Sequence, residues 1–272
     1  QATSQKSQFL DACKQYNDGL ISHQKLIDIT VAKGFNNVID AFHVVNRGNI
    51  PVEFYKKDYA NGKKRIILTD EIYKLQETPF ADNFALETES RWNLVETAWE
   101  LNISRNLLNV RYDEGSKIFF VDSNFKRKDV TSARGALNGY QKGKCFYCFD
   151  DITVSGDDTN TCDVDHFFPH TLQPLFPDIN LDGVWNLVLT CPACNRGEGG
   201  KFARVPATKY LTRLHKRNEF LISSHHPLRE TIIRQTGATE QERRAFLASV
   251  DQRAIDALVH RWETPEVAPA TF

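Results

Sequence analysis

The chain has 272 residues, of which 41% are hydrophobic and 25% charged, and its formal net charge is −1. That composition fits one large or two small folded domains and excludes a disordered or fibrous chain. No apolar run approaches the roughly 18–20 residues of a membrane span, and the near-zero charge leaves any nucleic-acid argument to local clusters. The N-terminal stretch lacks a basic-then-apolar leader, so a soluble, cytoplasmic protein without a membrane partner is the expectation. The chain begins at Gln1 and contains no Met, which suggests that it is not the complete translation product.

In chain order, a helix is expected over 7–18, with Phe9, Leu10, Cys13 and Tyr16 on one face and Gly19 as its stop. A second helix starts after Ser22 and ends at Gly34. A third carries Val38, Ala41, Phe42 and Val45 and ends before Gly48. Residues 52–69 read as a hairpin around Asn61-Gly62. Three short helices and a hairpin are the plan of a winged helix-turn-helix. Lys56, Lys57, Lys63, Lys64 and Arg65 against Asp58 would suit a DNA backbone. A small helical domain with a solvated basic turn is the plainer alternative. From about Phe84 to Leu108 a helix is expected to turn Trp92, Val95 and Trp99 toward the core. Residues 109–121 read as another hairpin, and 123–144 is basic and becomes helical.

Further on, residues 195–217 carry Arg196, Lys201, Arg204, Lys209, Arg213, Lys216 and Arg217 against Glu198 alone. The helical part has an apolar face of Tyr210, Leu211, Leu214 and Leu221. Such charge can belong to a solvated face, but a phosphate-contacting surface is the preferred reading. A last helix opens on the capping box Thr239-x-x-Glu242. It runs through Leu247, Val250, Ala254, Leu258 and Trp262 into a frayed tail. The implied organisation is a helical, winged-helix-like domain (1–80), a helical connector with a hairpin (81–130), the motif-bearing domain (131–235) and a C-terminal helix and tail (236–272).

The chemistry concentrates in the third of these. Of six cysteines, Cys145 and Cys148 form one C-x-x-C pair and Cys191 and Cys194 another, while Cys13 and Cys162 stand alone. Without a secretion signal, two such pairs point to structural tetrathiolate Zn²⁺ more than to disulfides or a redox pair. Between them, the alternation of "DVDH" reads as a strand with Asp163 and Asp165 on one face, although Asp is a poor strand former. A histidine follows directly, and an unperturbed histidine pKa of about 6.5 suits a general base. Taken in order, C-x-x-C, D-x-D-H-x-x-P, W-N-L, C-x-x-C-N and a following Arg-Gly with a nearby Lys occupy residues 145–202. That set resembles an HNH endonuclease domain of the ββα-metal class and covers about a fifth of the chain.

The resemblance implies an α+β, mostly helical protein whose C-terminal ββα-metal nuclease unit is flanked by helices. The implied activity is metal-dependent hydrolysis of DNA phosphodiester bonds, with His166 as general base. Asp165 and Asn195 would hold one Mg²⁺ or Mn²⁺. Asn186 would brace the backbone around the histidine, and Asp163 would support the strand. Arg196 and Lys201, with Arg204, Lys209 and Arg213 beyond them, would hold phosphate. Asn195 stands where many such motifs end in histidine. The resemblance is therefore to the H-N-N branch, and an oxygen-preferring ion is expected. Restriction or phage defence is the expected role, and duplex DNA the expected partner, with RNA as the alternative. A homodimer would be one way to cut both strands. His170, His215 and the His225-His226 pair lack a matching spacing and read as ordinary residues. Two other readings stand beside this one: a zinc-stabilised nucleic-acid-binding module without catalysis, and a nuclease subunit silent until a partner protein engages it.

Overall fold

Short β-branched and aromatic runs form small sheets, and the longer periodic stretches form helices. The result is a mixed α/β protein in which about half of the described residues are helical. The computed structural model describes residues 8–33, 39, 42–45, 48–60, 64–79, 81–100, 110–113, 115–116, 118–123, 126–129, 133–154, 161–265 and 267–272. Among them, no helix is long and apolar enough to cross a membrane. The chain divides into two compact units, Gln1–Ala81 and Asp82–Phe272.

In the first unit, α1 (Gln8–Asn17) ends before Gly19, whose φ of +71° is the left-handed conformation that glycine adopts without a Cβ penalty. Ser22 Oγ accepts the Lys25 N–H at 3.2 Å and opens α2 (His23–Lys33). The expected third helix is corrected. Phe42 lies in a turn, and Val45 belongs to β1 (Val44–Val45), which pairs with β2 (Gly48–Asn49). Two adjacent β-branched residues favour the extended chain, and the Phe54 N–H donates to His43 Nε2 beside them. Val38 and Ala41 lie outside the described residues. β3 (Tyr55–Asp58) and β4 (Arg65–Leu68) form the hairpin expected over 52–69, and Asp58 pairs with Arg65 at 2.6 Å. Asn61, Gly62 and Lys63 lie outside the described residues. α3 (Asp70–Gln76) closes the unit. Among the described residues, two helices rather than three precede the hairpin, so the winged-helix plan is not met there.

The second unit begins with α4 (Ala81–Glu100), which buries Ser90, Leu94, Thr97 and Ala98. Trp92, expected in the core, is 53% exposed, and its indole N–H donates to Glu96 Oε1 at 2.7 Å. The small-residue face wins because α5 (Ala133–Gln141) packs glycines against it. A Cβ added at Gly135 would lie 2.1 Å from Ser90 Oγ. Between these helices, β5 (Val110–Asp113), β6 (Ile118–Ser123) and β7 (Lys126–Asp129) form an antiparallel sheet. β7 takes up part of the basic stretch before the helix begins.

β8 (Asp163–His166) and β9 (Leu187–Thr190) then pair antiparallel, and α6 (Pro192–Arg196) follows β9 directly and packs on β8. β10 (Val205–Pro206) leads into α7 (Thr208–Ser223), which buries Tyr210, Leu214 and Leu221 as expected, and then α8 (Arg229–Thr236). α9 (Glu240–Leu258) opens on the Thr239–Glu242 capping box and buries Leu247, Val250 and Ala254. Trp262 is not part of it. Val259 leaves the helix at φ +62°, and β11 (Arg261–Trp262) pairs in parallel with β10. The tail is not frayed either: the Ala268 N–H donates to Cys148 O at 2.8 Å, and the Phe272 ring packs 4.8 Å from that of Phe149. The segments expected as a connector and as a C-terminal helix thus share one continuous core with the motif-bearing region. That core runs from Leu94 and Val121 through Phe167 and Trp185 to Leu247 and Trp262.

A buried histidine in this core makes the fold acid-sensitive. His226 Nε2 donates to Ala136 O at 3.1 Å, and Nδ1 accepts the Leu228 N–H at 3.1 Å, so the neutral ring satisfies both partners. Burial, helped by the Arg91 charge, pulls its pKa down to about 3. The unfolded chain therefore binds this proton first. Stability is complete above about pH 6.5 and falls by about 1.4 kcal/mol per pH unit on acidification toward pH 3. Between pH 7 and pH 5, the unit is expected to lose about 2 kcal/mol, or roughly 4–8 °C of melting temperature. His226→Gln should flatten that slope in zinc-loaded protein; an equally steep slope in the variant would assign it elsewhere.

Candidate functional site

The β8–β9 ladder and α6 build one cleft of about 370 Å³. Asp163, Asp165, His166, His170, Asn195, Arg196 and Lys201 line it, together with Tyr112 and Arg134. The register sets Asp165 opposite Val188 and His166 opposite Leu187. Alternation along β8 places the two aspartates on one side of the pleat and His166 on the other.

His166 is buried, and its Nε2 lies 3.1 Å from Asp182 Oδ1. The same oxygen meets His170 Nδ1 at 2.8 Å. Burial works to raise the Asp182 carboxyl, but the hydrogen bonds and charges of the two histidines outweigh it and hold its pKa below the ordinary carboxylate value. With the carboxylate accepting from Nε2–H, the lone pair of the His166 ring resides on Nδ1. Neither Asp182 nor a role for His170 was legible in the sequence. His170 lacks a matching spacing in the sequence, and the structure brings it, His166 and Asp182 within 4.8 Å of one another at their ligand atoms.

The loop that delivers Asp182 is tightly tied. Gln173 Oε1 accepts the Leu181 N–H at 2.9 Å, and Asn180 Oδ1 accepts the Asp182 N–H at 3.1 Å. Gly183 bridges to Arg111 of β5. A Cβ at Gly183 would lie 2.8 Å from the Trp185 indole, so this close approach requires glycine. Asn186 is fully buried and clamps the exit of β8. Its Oδ1 accepts the Phe168 N–H at 2.8 Å, and its Nδ2 donates to Phe168 O and Leu181 O at 2.9 and 2.8 Å.

Asp165 is buried, and each of its oxygens already has a donor. Lys201 Nζ donates to Oδ1 at 2.9 Å and the Tyr147 hydroxyl to Oδ2 at 2.6 Å. Burial, and after it the Asp165 charge, holds the Tyr147 pKa well above its ordinary value, so the hydroxyl keeps its proton. A carboxylate offers about four lone-pair sites, so this one retains acceptor capacity toward a cation. Asn195 Nδ2 donates to Asp163 Oδ2 at 3.1 Å, and Arg196 Nε donates to the same oxygen at 2.8 Å. Asp163, Asp165 and Asn195 therefore bring oxygen-bearing side chains to one cleft.

Of the residues expected to grip phosphate, Lys201 is turned inward and Arg213 is partly buried, whereas Arg196, Arg204 and Lys209 stay exposed. Lys201 is fully buried, and its ammonium also donates to His166 O at 2.8 Å and Phe202 O at 3.3 Å. Arg204 donates to Gly199 O at 3.0 Å and also to Gly200 O, and Lys209 pairs with Glu263. Arg213 donates to the carbonyls of Phe146 and Tyr147 and lies 4.1 Å over the Phe149 ring. Arg217 is buried against the carbonyls of Val184, Trp185 and Leu187. The buried members, Lys201 and Arg217, serve buried oxygens of the unit, while the exposed Lys209–Glu263 pair contributes little. Arg196 remains 57% exposed at the cleft. Arg134, which the sequence did not single out, lines the cleft with a buried Nε that has no hydrogen-bond partner among the described residues.

The Lys201–Asp165 pair is a stability element. Lys201→Met should cost about 3–5 kcal/mol in denaturant melts, because it leaves a buried carboxylate with one hydroxyl partner. Adding Asp165→Asn should recover part of that loss. If Lys201→Met melts like the parent, the pair is not what holds this wall.

Behind α6 sit the four cysteines. Their Sγ atoms all lie within 4.8 Å of one another, and Cys148 and Cys191 are 3.7 Å apart. A disulfide would need about 2.05 Å, whereas four Zn–S bonds of about 2.3 Å in a tetrahedron set sulfurs about 3.8 Å apart. The cluster therefore fits a zinc-type ion. Cys191 caps α6, its Sγ accepting the Cys194 N–H at 3.4 Å with Pro192 at the first helical position. Taken by themselves, the close thiol contacts in the quartet push the Cys191 thiol down and those of Cys148 and Cys194 up. Cys162 stands outside the quartet, and burial raises its pKa to about 11.

Compared with known proteins, the chain matches no family model, no curated protein and no solved structure.

Proposed function

We propose that the chain is a metal-dependent endonuclease of the HNH type, acting on DNA phosphodiester bonds, with a zinc-type ion holding the cysteine quartet. The observation that carries this reading is a histidine oriented by a carboxylate at 3.1 Å, in the same cleft as three oxygen-donor side chains and an arginine. The strand–strand–helix order of β8, β9 and α6, with the histidine ending β8 and Asn195 on α6, supports the ββα-metal arrangement.

In this reading His166 Nδ1 takes the proton of the attacking water, while Nε2–H stays on Asp182, which stabilises the imidazolium that forms. Lys201 and Asn186 fix the backbone from the His166 carbonyl to Phe168. Asp165 and Asn195, with Asp163 beside them, would hold one divalent cation, which when bound neutralises charge on the phosphate and the departing oxygen. Arg196 and Arg134 border the cleft as the cations for the flanking phosphates. A pure binding module is disfavoured, because it has no use for a carboxylate-oriented histidine beside oxygen-donor side chains. Restriction or phage defence remains the role we assign to such an activity.

The test is a supercoiled-plasmid assay with zinc-loaded protein in Mg²⁺, Mn²⁺ and EDTA. Metal-dependent nicking or linearisation is expected. Binding of the plasmid without cleavage in either metal would move the assignment to a binding module or to a subunit gated by a partner protein.

A further inference from the structure

We infer that His166, His170 and Asp182 form a second transition-metal site, which takes a Zn²⁺-type ion and switches the proposed base off when filled. The three residues meet at one point: Asp182 Oδ1 is 3.1 Å from His166 Nε2 and 2.8 Å from His170 Nδ1. Around a four-coordinate ion with bonds of about 2.0–2.1 Å, neighbouring ligand atoms stand about 3.3 Å apart. The two pairs that share Asp182 Oδ1 lie within a few tenths of an ångström of that spacing, and all three ligand atoms lie within 4.8 Å of one another. His170 is half exposed and lines the cleft, which gives an ion from solvent a path and leaves room for a water ligand.

The donor set selects the ion. Two imidazole nitrogens and one carboxylate suit Zn²⁺, Co²⁺ or Ni²⁺, whereas Mg²⁺ prefers carboxylates, carbonyls and water. The chain thus offers two chemically distinct sites within one cleft: an oxygen-donor set on Asp163, Asp165 and Asn195, and a nitrogen-rich set on the other side of the pleat.

Filling the second site has a defined proton consequence. In the hydrogen-bonded state the Nε2 of His166 carries the proton and Nδ1 the lone pair. An ion bound at Nε2 needs that lone pair, so the proton moves through solvent to Nδ1, and the ring stays neutral. Nδ1 is the nitrogen assigned to deprotonate water, and a protonated Nδ1 cannot do so. Occupation by zinc and base catalysis are therefore mutually exclusive at His166. This second step rests on the endonuclease reading; the metal site itself does not.

Calorimetric titration of ZnCl₂ into protein whose cysteine quartet already carries zinc decides the site. Wild type is expected to bind one further ion, and His170→Ala and Asp182→Asn should each weaken it by about 10-fold or more. His170 is exposed enough that its variant tests binding without disturbing the core. No further ion in wild type, or undiminished uptake by His170→Ala, overturns the proposal. In the plasmid assay with Mg²⁺, Zn²⁺ should inhibit wild type. His170→Ala, normalised to its own zinc-free rate, should need about 10-fold more zinc for half inhibition. Should the protein cut nothing, the endonuclease reading fails, while calorimetry still reports on the metal site.

Discussion

His166→Ala is expected to slow plasmid cleavage by about 10²–10⁴-fold, the range that a positioned general base contributes. The variant should keep the zinc of the cysteine quartet and still melt cooperatively. The backbone around position 166 is held by groups other than the imidazole: the Phe167 N–H donates to Asn186 O at 2.7 Å, and Lys201 Nζ donates to the carbonyl of residue 166 at 2.8 Å. Asp182→Asn should lose less, because the amide oxygen can still accept from Nε2–H while its neutral charge stabilises the imidazolium poorly. The predicted order of initial rates at saturating Mg²⁺ is wild type, then Asp182→Asn, then His166→Ala. Cleavage by His166→Ala at the wild-type rate would remove the histidine from the reaction. An Asp182→Asn rate equal to wild type would reduce the 3.1 Å contact to a structural one.

What could be read from the sequence follows from how local each signal is. C-x-x-C spacing, the Thr239–Glu242 capping box and the apolar stripe on α7 are set within a few residues, and each reappears in the structure. Asp182 is the opposite case. It sits 16 positions from His166, in a loop whose placement depends on the β8–β9 register, Gln173, Asn180 and β5. No spacing rule connects the two. Counting charge along 195–217 misled for a related reason. A count assigns every lysine and arginine to solvent, but folding left the carbonyls of Phe146, Tyr147, Val184 and Leu187 in need of donors that Arg213 and Arg217 supply. Trp92 misled through size: the larger side chain was assigned to the core, while the close approach of Gly135 selected Ser90. The tail is similar, since nothing before the fold reveals that Phe272 has Phe149 and Tyr140 to pack on.

Cys191→Ser should produce the largest loss of stability. This thiol contributes in two ways, as one of the four clustered sulfurs and as the acceptor that caps α6. The cysteine pairs join the turn at 145–148 to the end of β9, and α6 carries Asn195 and Arg196 into the cleft. Structural zinc contributes about 10–16 kcal/mol in apparent terms, as much as the net stability of a whole domain, about 5–15 kcal/mol. Losing one of four ligands should therefore lower the melting temperature of the Asp82–Phe272 unit by more than about 10 °C. It should also remove the zinc equivalent held by the quartet. Chelation of wild type should give the same melt, and chelation should add little to the variant, because both remove one interaction. Cys162→Ser is the matched control: a buried thiol outside the quartet, whose exchange should leave zinc content unchanged. If Cys191→Ser retains that zinc equivalent and melts with wild type, the quartet does not hold the fold, and the placement of Asn195 must be explained by α6 packing on β8 alone.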